Sequence, residues 1–242
     1  RSGTTLLDTI LRTHKCIKVL EEKQLVNELI DKLTELTHDN LLNLNSINKD
    51  IILKLRDIYF KKRNNLIGYS KDIIYIDKLP LNIIYIAELK IIFPNSKFIF
   101  ALRHPCDTVL SCFMQPFLPN DAMSNFYNLK DASEFYDLVM NLYEKYQENL
   151  NLNLHIVKYE EVVNDFDNSL KKILKFLNLN WNDELRNFHL TASKRGIINT
   201  PSYNQVNKPL YNQSIFRWKN YSEKLTNVSF KLEKWLKKFE YL

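Results

Sequence analysis

The chain opens Arg1-Ser2-Gly3-Thr4-Thr5, and these residues are the first that can do chemistry. Only three glycines occur in 242 residues, so Gly3 inside a Ser/Thr cluster stands out. Directly after it, Leu6, Leu7, Ile10 and Leu11 have helical spacing. Glycine lets the backbone approach an anion closely, and the first amides of a helix are unpaired donors. Ser2, Thr4 and Thr5 add hydroxyls and Arg1 adds charge, which together make a sensible phosphate cradle. Taken alone, the loop also fits an ordinary Ser/Thr helix cap. It is not a Walker A loop, because no lysine follows Gly3. ATP hydrolysis is therefore disfavoured.

A second anion site is expected in LRHPCDTVLS, residues 102–111. Arg103 leaves the apolar run FIFAL, and Ser111 lies two turns into the helix that Pro105 opens. The two side chains could grip one phosphate, a task that suits the fork of donors on arginine. A surface arginine and a small helix residue would read the same way.

The elements that must position these groups follow from periodicity. Strands are expected at 73–77 (IIYID), 98–102 (FIFAL) and 155–159 (HIVKY), with a further strand preceding Arg1. Helices are expected at 24–37, 81–93, 131–149, 167–177 and 223–239, and after His104-Pro105. Alternating strands and helices predict an α/β fold with a central parallel sheet and helices on both faces. Such sheets bind ligands beyond the carboxyl ends of their strands. Asp77-Lys78, Arg103-His104 and Tyr159-Glu160 lie at those ends, so they and the opening loop should converge on one crevice.

At these residues the sequence resembles the PAPS-dependent sulfotransferases, which use 3′-phosphoadenosine 5′-phosphosulfate. RSGTTLL is similar to their 5′-phosphosulfate loop, and FIFALRHPCDTVLS to their 3′-phosphate segment. DKLPLN (77–82), FPNSKF (93–98), VKYEEVVNDF (157–166) and TPSYNQVNKPLYNQSIFRWKNY (200–221) follow in the family's order, covering nearly the whole chain. The resemblance is nearest to tyrosylprotein sulfotransferases and to bacterial sulfotransferase domains that often follow tetratricopeptide repeats.

The resemblance implies a P-loop-type three-layer sandwich and a role for each matched residue. Arg1, Ser2, Gly3, Thr4 and Thr5 would bind the 5′-phosphosulfate. Arg103 and Ser111 would bind the 3′-phosphate, and Tyr159 would help hold the nucleotide. Ser202 and the 205–217 stretch would close over it, with Arg217 and Lys219 touching phosphate. Glu22 falls at the catalytic base and Lys78 at the lysine near the bridging oxygen. Leu20 and Glu21 stand where a small residue or Gly often precedes the base, so Glu21 is a rival for that role.

Sulfuryl transfer needs the acceptor hydroxyl to lose its proton, and a phenol holds its proton to a pKa of about 10. A carboxylate held against the hydroxyl can take that proton as the transition state forms. A lysine and loop donors can stabilise charge on the leaving oxygen. No metal is called for. Asp77 is the one carboxylate that stands as a metal candidate, and it reads as a strand or loop cap. His14, His104 and His189 each lie beside apolar residues and read as packing or backbone-bonding groups. The aromatic, proline-rich stretch 112–129 could cover or select the acceptor, or could be a packed connection. The acceptor implied first is protein tyrosine, with a carbohydrate or small-molecule hydroxyl as the alternative.

Bulk properties agree. Hydrophobic residues make up 45% of the chain, enough for a core, and residues 1–242 are expected to form one domain, the C-terminal part of a longer protein. An upstream repeat domain is the expected partner in the same chain. The net charge of +6 suits a polyanionic ligand or a solvated lysine-rich surface. It is spread, not bunched into a stripe, which counts against a nucleic-acid-binding module. No apolar run is long enough to span a bilayer. Cys16, Cys106 and Cys112 form no CxxC or metal spacing, which favours a reducing, cytoplasmic compartment.

Overall fold

The computed structural model describes residues 1–37, 47–194, 207 and 209–242. Helix α1 (Thr4–Leu11) starts at Gly3, whose φ of 89° and ψ of 11° are left-handed, and it buries Leu7, Ile10 and Leu11. Strand β1 (Ile17–Glu21) follows, then α2 (Leu25–Leu36). Helix α3 (Lys49–Ile67) is capped by the Asn48 side chain, which accepts from the Asp50 amide, and it stops at Gly68. Strand β2 (Ile74–Lys78) leads through a 3₁₀ turn, Pro80–Tyr85, into α4 (Ile86–Ile92). Strand β3 (Lys97–Leu102) and helix α5 (Pro105–Phe113) come next, then the long α6 (Leu129–Asn149). Strand β4 (Asn153–Lys158), α7 (Tyr159–Asn164), α8 (Phe166–Leu177), α9 (Phe188–Lys194) and α10 (Ser222–Lys238) complete the chain.

The fold is the expected α/β sandwich with parallel strands and helices on both faces. Among the described residues the strands form two parallel ladders, β1–β2 and β3–β4, where one continuous sheet was expected. The registers bring Glu21 opposite Lys78 and Leu102 opposite Lys158. Both ladders contribute to one core. Ile17, Val19, Ile74, Ile76, Ile99, Ala101 and Val157 pack against Leu7, Ile10 and Leu11 of α1 and Leu170, Ile173 and Leu174 of α8. Period-two alternation sends Phe98, Phe100 and Leu102 to the other face. There they meet Met140 and Tyr143 of α6 and Trp235 of α10. Trp235 is fully buried and donates to Asp137 Oδ1 at 2.7 Å, so its one polar atom is satisfied. Burying a side chain of this kind stabilises the fold by roughly 2–3 kcal/mol.

Strand β1 and helices α3, α7 and α9 were not expected, and two expected elements differ in detail. Residues 81–93 form a 3₁₀ turn and a short helix where a single helix was read, and the turn begins at Pro80. Tyr159 is the first residue of α7, one step past the strand. No helix among the described residues is long and apolar enough to cross a membrane.

Candidate functional site

The opening loop and the exit of β3 meet. A Cβ placed on Gly3 would lie 2.7 Å from Cδ2 of Tyr159, so the loop backbone rests directly on that ring. On the same ring sits the Arg103 guanidinium, 5.0 Å from the centroid. Arg103 Nη1 donates to the Arg1 carbonyl at 3.4 Å, and Arg1 Nε donates to Ser111 Oγ at 3.2 Å. Loop, β3 exit, α5 and α7 are thereby tied together. Arg1, Ser2, Gly3, Thr4, Thr5, Arg103, Ser111, Tyr159 and Arg217 all line one cavity of about 920 Å³.

This end of the cavity attracts anions. Burial lowers the pKa of the Arg1 guanidinium, and the nearby charge of Arg103 lowers it further. The α1 N-terminus has no side-chain cap, so its first amides are open donors. Two guanidiniums, a helix N-terminus and a glycine without room for a methyl group fit a phosphorylated ligand. Asp107 lies 3.7 Å from Arg103 and accepts from the Trp218 amide at 2.8 Å. Its carboxyl pKa is raised, chiefly by burial. The C-terminal stretch reaches the site as well, because Arg103 Nη2 donates to the Ser214 carbonyl at 2.5 Å. Lys219 lies over the Phe216 ring at 5.0 Å and does not line the cavity. Ser202 and Gln205 fall outside the described residues.

Glu22 also lines this cavity. Strand β1, which periodicity did not reveal, delivers it to the carboxyl edge of the ladder. Its amide donates to the Lys78 carbonyl at 2.8 Å, and its φ is 49°. A left-handed glutamate costs roughly 1–2 kcal/mol; Asn178, Phe216 and Glu240 share that conformation. Lys78 is buried, and its Nζ donates to Glu22 Oε1 at 2.9 Å. The same ammonium lies 3.5 Å from Glu21 Oε1 and 3.8 Å from Asp8 Oδ2. Glu21 turns inward, where Arg12 Nη2 lies 3.5 Å from its Oε2. Asp8, whose side chain is fully buried, accepts from Arg12 Nε at 2.7 Å. Burial pushes the Asp8 carboxyl up to about 6, with Arg12 and Lys78 pulling it down and Glu21 raising it. The sequence reading missed Asp8 and Arg12. Their spacing of four on the helix after the loop was the available signal.

Phe117 and Phe126 pack with tilted rings 5.6 Å apart, and Phe135 meets Phe126 edge-on at the same separation. All three line the cavity, together with Gln24, Met114, Asn120 and Asp121. The 112–129 stretch is thus both a packed connection and a cavity wall. His104 stacks on Trp218 at 5.1 Å, and its pKa falls to about 4, chiefly through burial. His14 Nδ1 accepts from the Cys16 amide, and Nε2 lies 3.1 Å from the Asn180 carbonyl. Asp77 accepts from the Tyr59 hydroxyl at 3.0 Å.

Comparison with known proteins adds an independent line. The model of the "Sulfotransferase family" matches residues 1–183. The sulfotransferase domain of the Synechococcus PCC 7002 olefin synthase superposes with a TM-score of 0.62 at 21% identity, over 90% of this chain and 83% of that one. The sulfotransferase domain of the curacin biosynthetic pathway superposes with a TM-score of 0.61 at 18% identity, over 90% of this chain and 87% of that one. An uncharacterized protein of Aquifex aeolicus (strain VF5) is 24% identical over 251 residues, covering 99% of this chain. The match takes in 32% of that protein, so this chain spans about a third of its length.

Proposed function

The chain belongs to the sulfotransferase family, and on that premise we propose that it moves a sulfuryl group from PAPS to an acceptor hydroxyl. The observation that carries this reading is the shared cavity, which holds the opening loop and Arg103 together with Glu22. The loop amides, Arg1, Ser2, Thr4 and Thr5 would take the 5′-phosphosulfate. Arg103, with Tyr159 beneath it and Arg217 beside the cavity, would take the 3′-phosphate end. The resemblance assigns Ser111 to the same end, and its hydroxyl accepts from Arg1 of the opening loop. Ser202 and Lys219 complete the proposed cofactor set.

PAPS would supply an activated sulfuryl group. Glu22 accepts the proton of the acceptor hydroxyl while a new S–O bond forms to that oxygen. The bond from sulfur to the bridging oxygen breaks, and its electron pair goes to the departing phosphate. Lys78 and the loop donors stabilise the charge that builds there. The cavity exposure of Glu22, against the inward turn of Glu21, supports Glu22 as the base.

The resemblance favours a tyrosine phenol in a protein as acceptor, among enzymes of the tyrosylprotein type. A carbohydrate or small-molecule hydroxyl is the second reading, and the aromatic wall of the cavity suits a phenol in either case. Residues 1–242 would form one domain of a longer, repeat-bearing protein. The experiment is a thermal-shift titration with adenosine 3′,5′-bisphosphate beside ATP–Mg²⁺. A ligand at a hundred times its Kd stabilises by about 2.7 kcal/mol. For a domain of this size that is a rise of roughly 5–10 °C. The bisphosphate should give it and ATP–Mg²⁺ should not; the reverse result would favour a P-loop kinase.

A further inference from the structure

Lys78 faces three carboxylates, and they differ. Glu22 holds it now at 2.9 Å. Glu21 is shared with Arg12. Asp8 engages Arg12 through Oδ1 alone, with Nε at 2.7 Å and Nη2 at 2.6 Å. Its other oxygen, Oδ2, is buried, accepts no hydrogen bond among the described residues, and points toward Lys78 at 3.8 Å. A movement of about one ångström would bring the ammonium onto it at ordinary hydrogen-bond distance.

This vacancy matters because the proposed reaction changes the charge of Glu22. Once Glu22 takes the acceptor proton it is neutral and no longer holds an ammonium strongly. The carboxylates left to the ammonium are then Glu21 at 3.5 Å, which Arg12 shares, and Asp8 Oδ2 at 3.8 Å. We propose that Asp8 is a positioning residue for the transfer step, its Oδ2 serving as a second seat that takes one N–H of the Lys78 ammonium as Glu22 becomes protonated, while the remaining N–H donors stay with the departing oxygen. Asp8 lies on α1, the helix that carries the phosphate loop, so the seat moves with the loop. The inference rests on the reading of Glu22 and Lys78 given above.

The groups facing Asp8 are Arg12 on its own helix, Glu21 at the end of β1 and Lys78 at the end of β2. The test needs no acceptor. Glu22→Gln mimics the protonated base and keeps its shape. A carboxyl-carbon NMR titration of Asp8 is compared between wild type and Glu22→Gln. Bringing an ammonium from 3.8 Å to hydrogen-bond distance should move the Asp8 midpoint down by about one pH unit. Lys78→Met, which empties the pair from the other side, should move it up. An unmoved midpoint in Glu22→Gln overturns the proposal, and Lys78→Met serves as the control that the midpoint reports the ammonium at all. The thermal shift with adenosine 3′,5′-bisphosphate checks that each variant is folded; if Glu22→Gln is not, the turnover of Asp8→Asn decides.

Turnover separates this idea from the reading beneath it. With PAPS and 4-nitrophenol, Asp8→Asn should lose about tenfold or more in kcat with KM for PAPS within twofold, as a displaced reacting group would. If Glu22→Gln and Lys78→Ala keep full turnover, the site assignment fails. If they lose it while the Asp8 midpoint stays put, only the second seat falls.

Discussion

Replacing Arg103 by alanine should remove nucleotide binding by a calculable amount. Its guanidinium rests on Tyr159, donates to the Ser214 and Arg1 carbonyls and faces Asp107. A charge-assisted hydrogen bond to phosphate contributes about 1.5–3 kcal/mol, so losing this fork costs about 3 kcal/mol of binding. That weakens the Kd for adenosine 3′,5′-bisphosphate by roughly 150-fold. At a concentration where wild type is stabilised by about 2.7 kcal/mol, the variant would retain only about 0.3 kcal/mol, a shift of about 1 °C. Arg103→Ala also strips Asp107 of its cation, and breaking a buried pair lowers apo stability by about 3 kcal/mol. The double variant with Asp107→Asn should recover part of that stability and none of the binding. Adenosine 5′-phosphate, which lacks the 3′-phosphate, should bind wild type and Arg103→Ala alike. The assay is calorimetry with both nucleotides. A variant that keeps more than half of the bisphosphate shift, or loses both nucleotides equally, refutes Arg103 as the 3′-phosphate ligand.

Three further outcomes follow from the geometry. Glu22→Gln should cut turnover of PAPS and 4-nitrophenol by about 10²–10³, whereas Glu21→Gln should cut it less than tenfold, with bisphosphate binding intact in both. Gly3→Ala should lower stability by about 2–4 kcal/mol in urea titration and weaken bisphosphate binding, because φ is 89° and the methyl meets Tyr159. Burial pushes the Asp77 carboxyl up to about 6, above its unfolded value, so its stabilisation is present at pH 4 and is lost as pH rises through 6. Asp77→Asn keeps an acceptor for Tyr59 and should stabilise by about 1–3 kcal/mol at pH 8 and by about 0.5 kcal/mol or less at pH 4; equal effects at both pH values would contradict this.

What could be read from the residues depended on how each element is buried. FIFAL announces β3 because both its faces are covered, one by α1 and α8, the other by α6 and α10. Strand β1 stayed hidden because Lys18 is exposed and donates to the Ile67 carbonyl, and Glu21 ends the strand on a charge. That omission hid the reason Glu22 reaches the cavity. Helix α3 buries only Leu55 and Arg63, and the arginine lies among the rings of Phe60, Tyr69 and Tyr75. No apolar stripe marks such a helix. The convergence of the opening loop with Arg103 was legible, since strand ends of a parallel sheet share an edge. The partners were less so. Ser111 was paired with Arg103 in the sequence reading, yet its hydroxyl accepts from Arg1. Nothing local to a sequence reports a left-handed φ at a glutamate.

The contact between Gly3 and Tyr159 has a consequence for how relatives of this chain can diverge. The ring fills the space that any Cβ at position 3 would need, so the two sites cannot drift independently. A lineage that shrank the tyrosine would relieve the clash at position 3, leaving the strain of a φ of 89°, and would at the same time remove the platform under Arg103. Across related sequences, a residue other than glycine at position 3 should therefore occur only where position 159 is smaller than tyrosine, although the two lie in opposite halves of the chain.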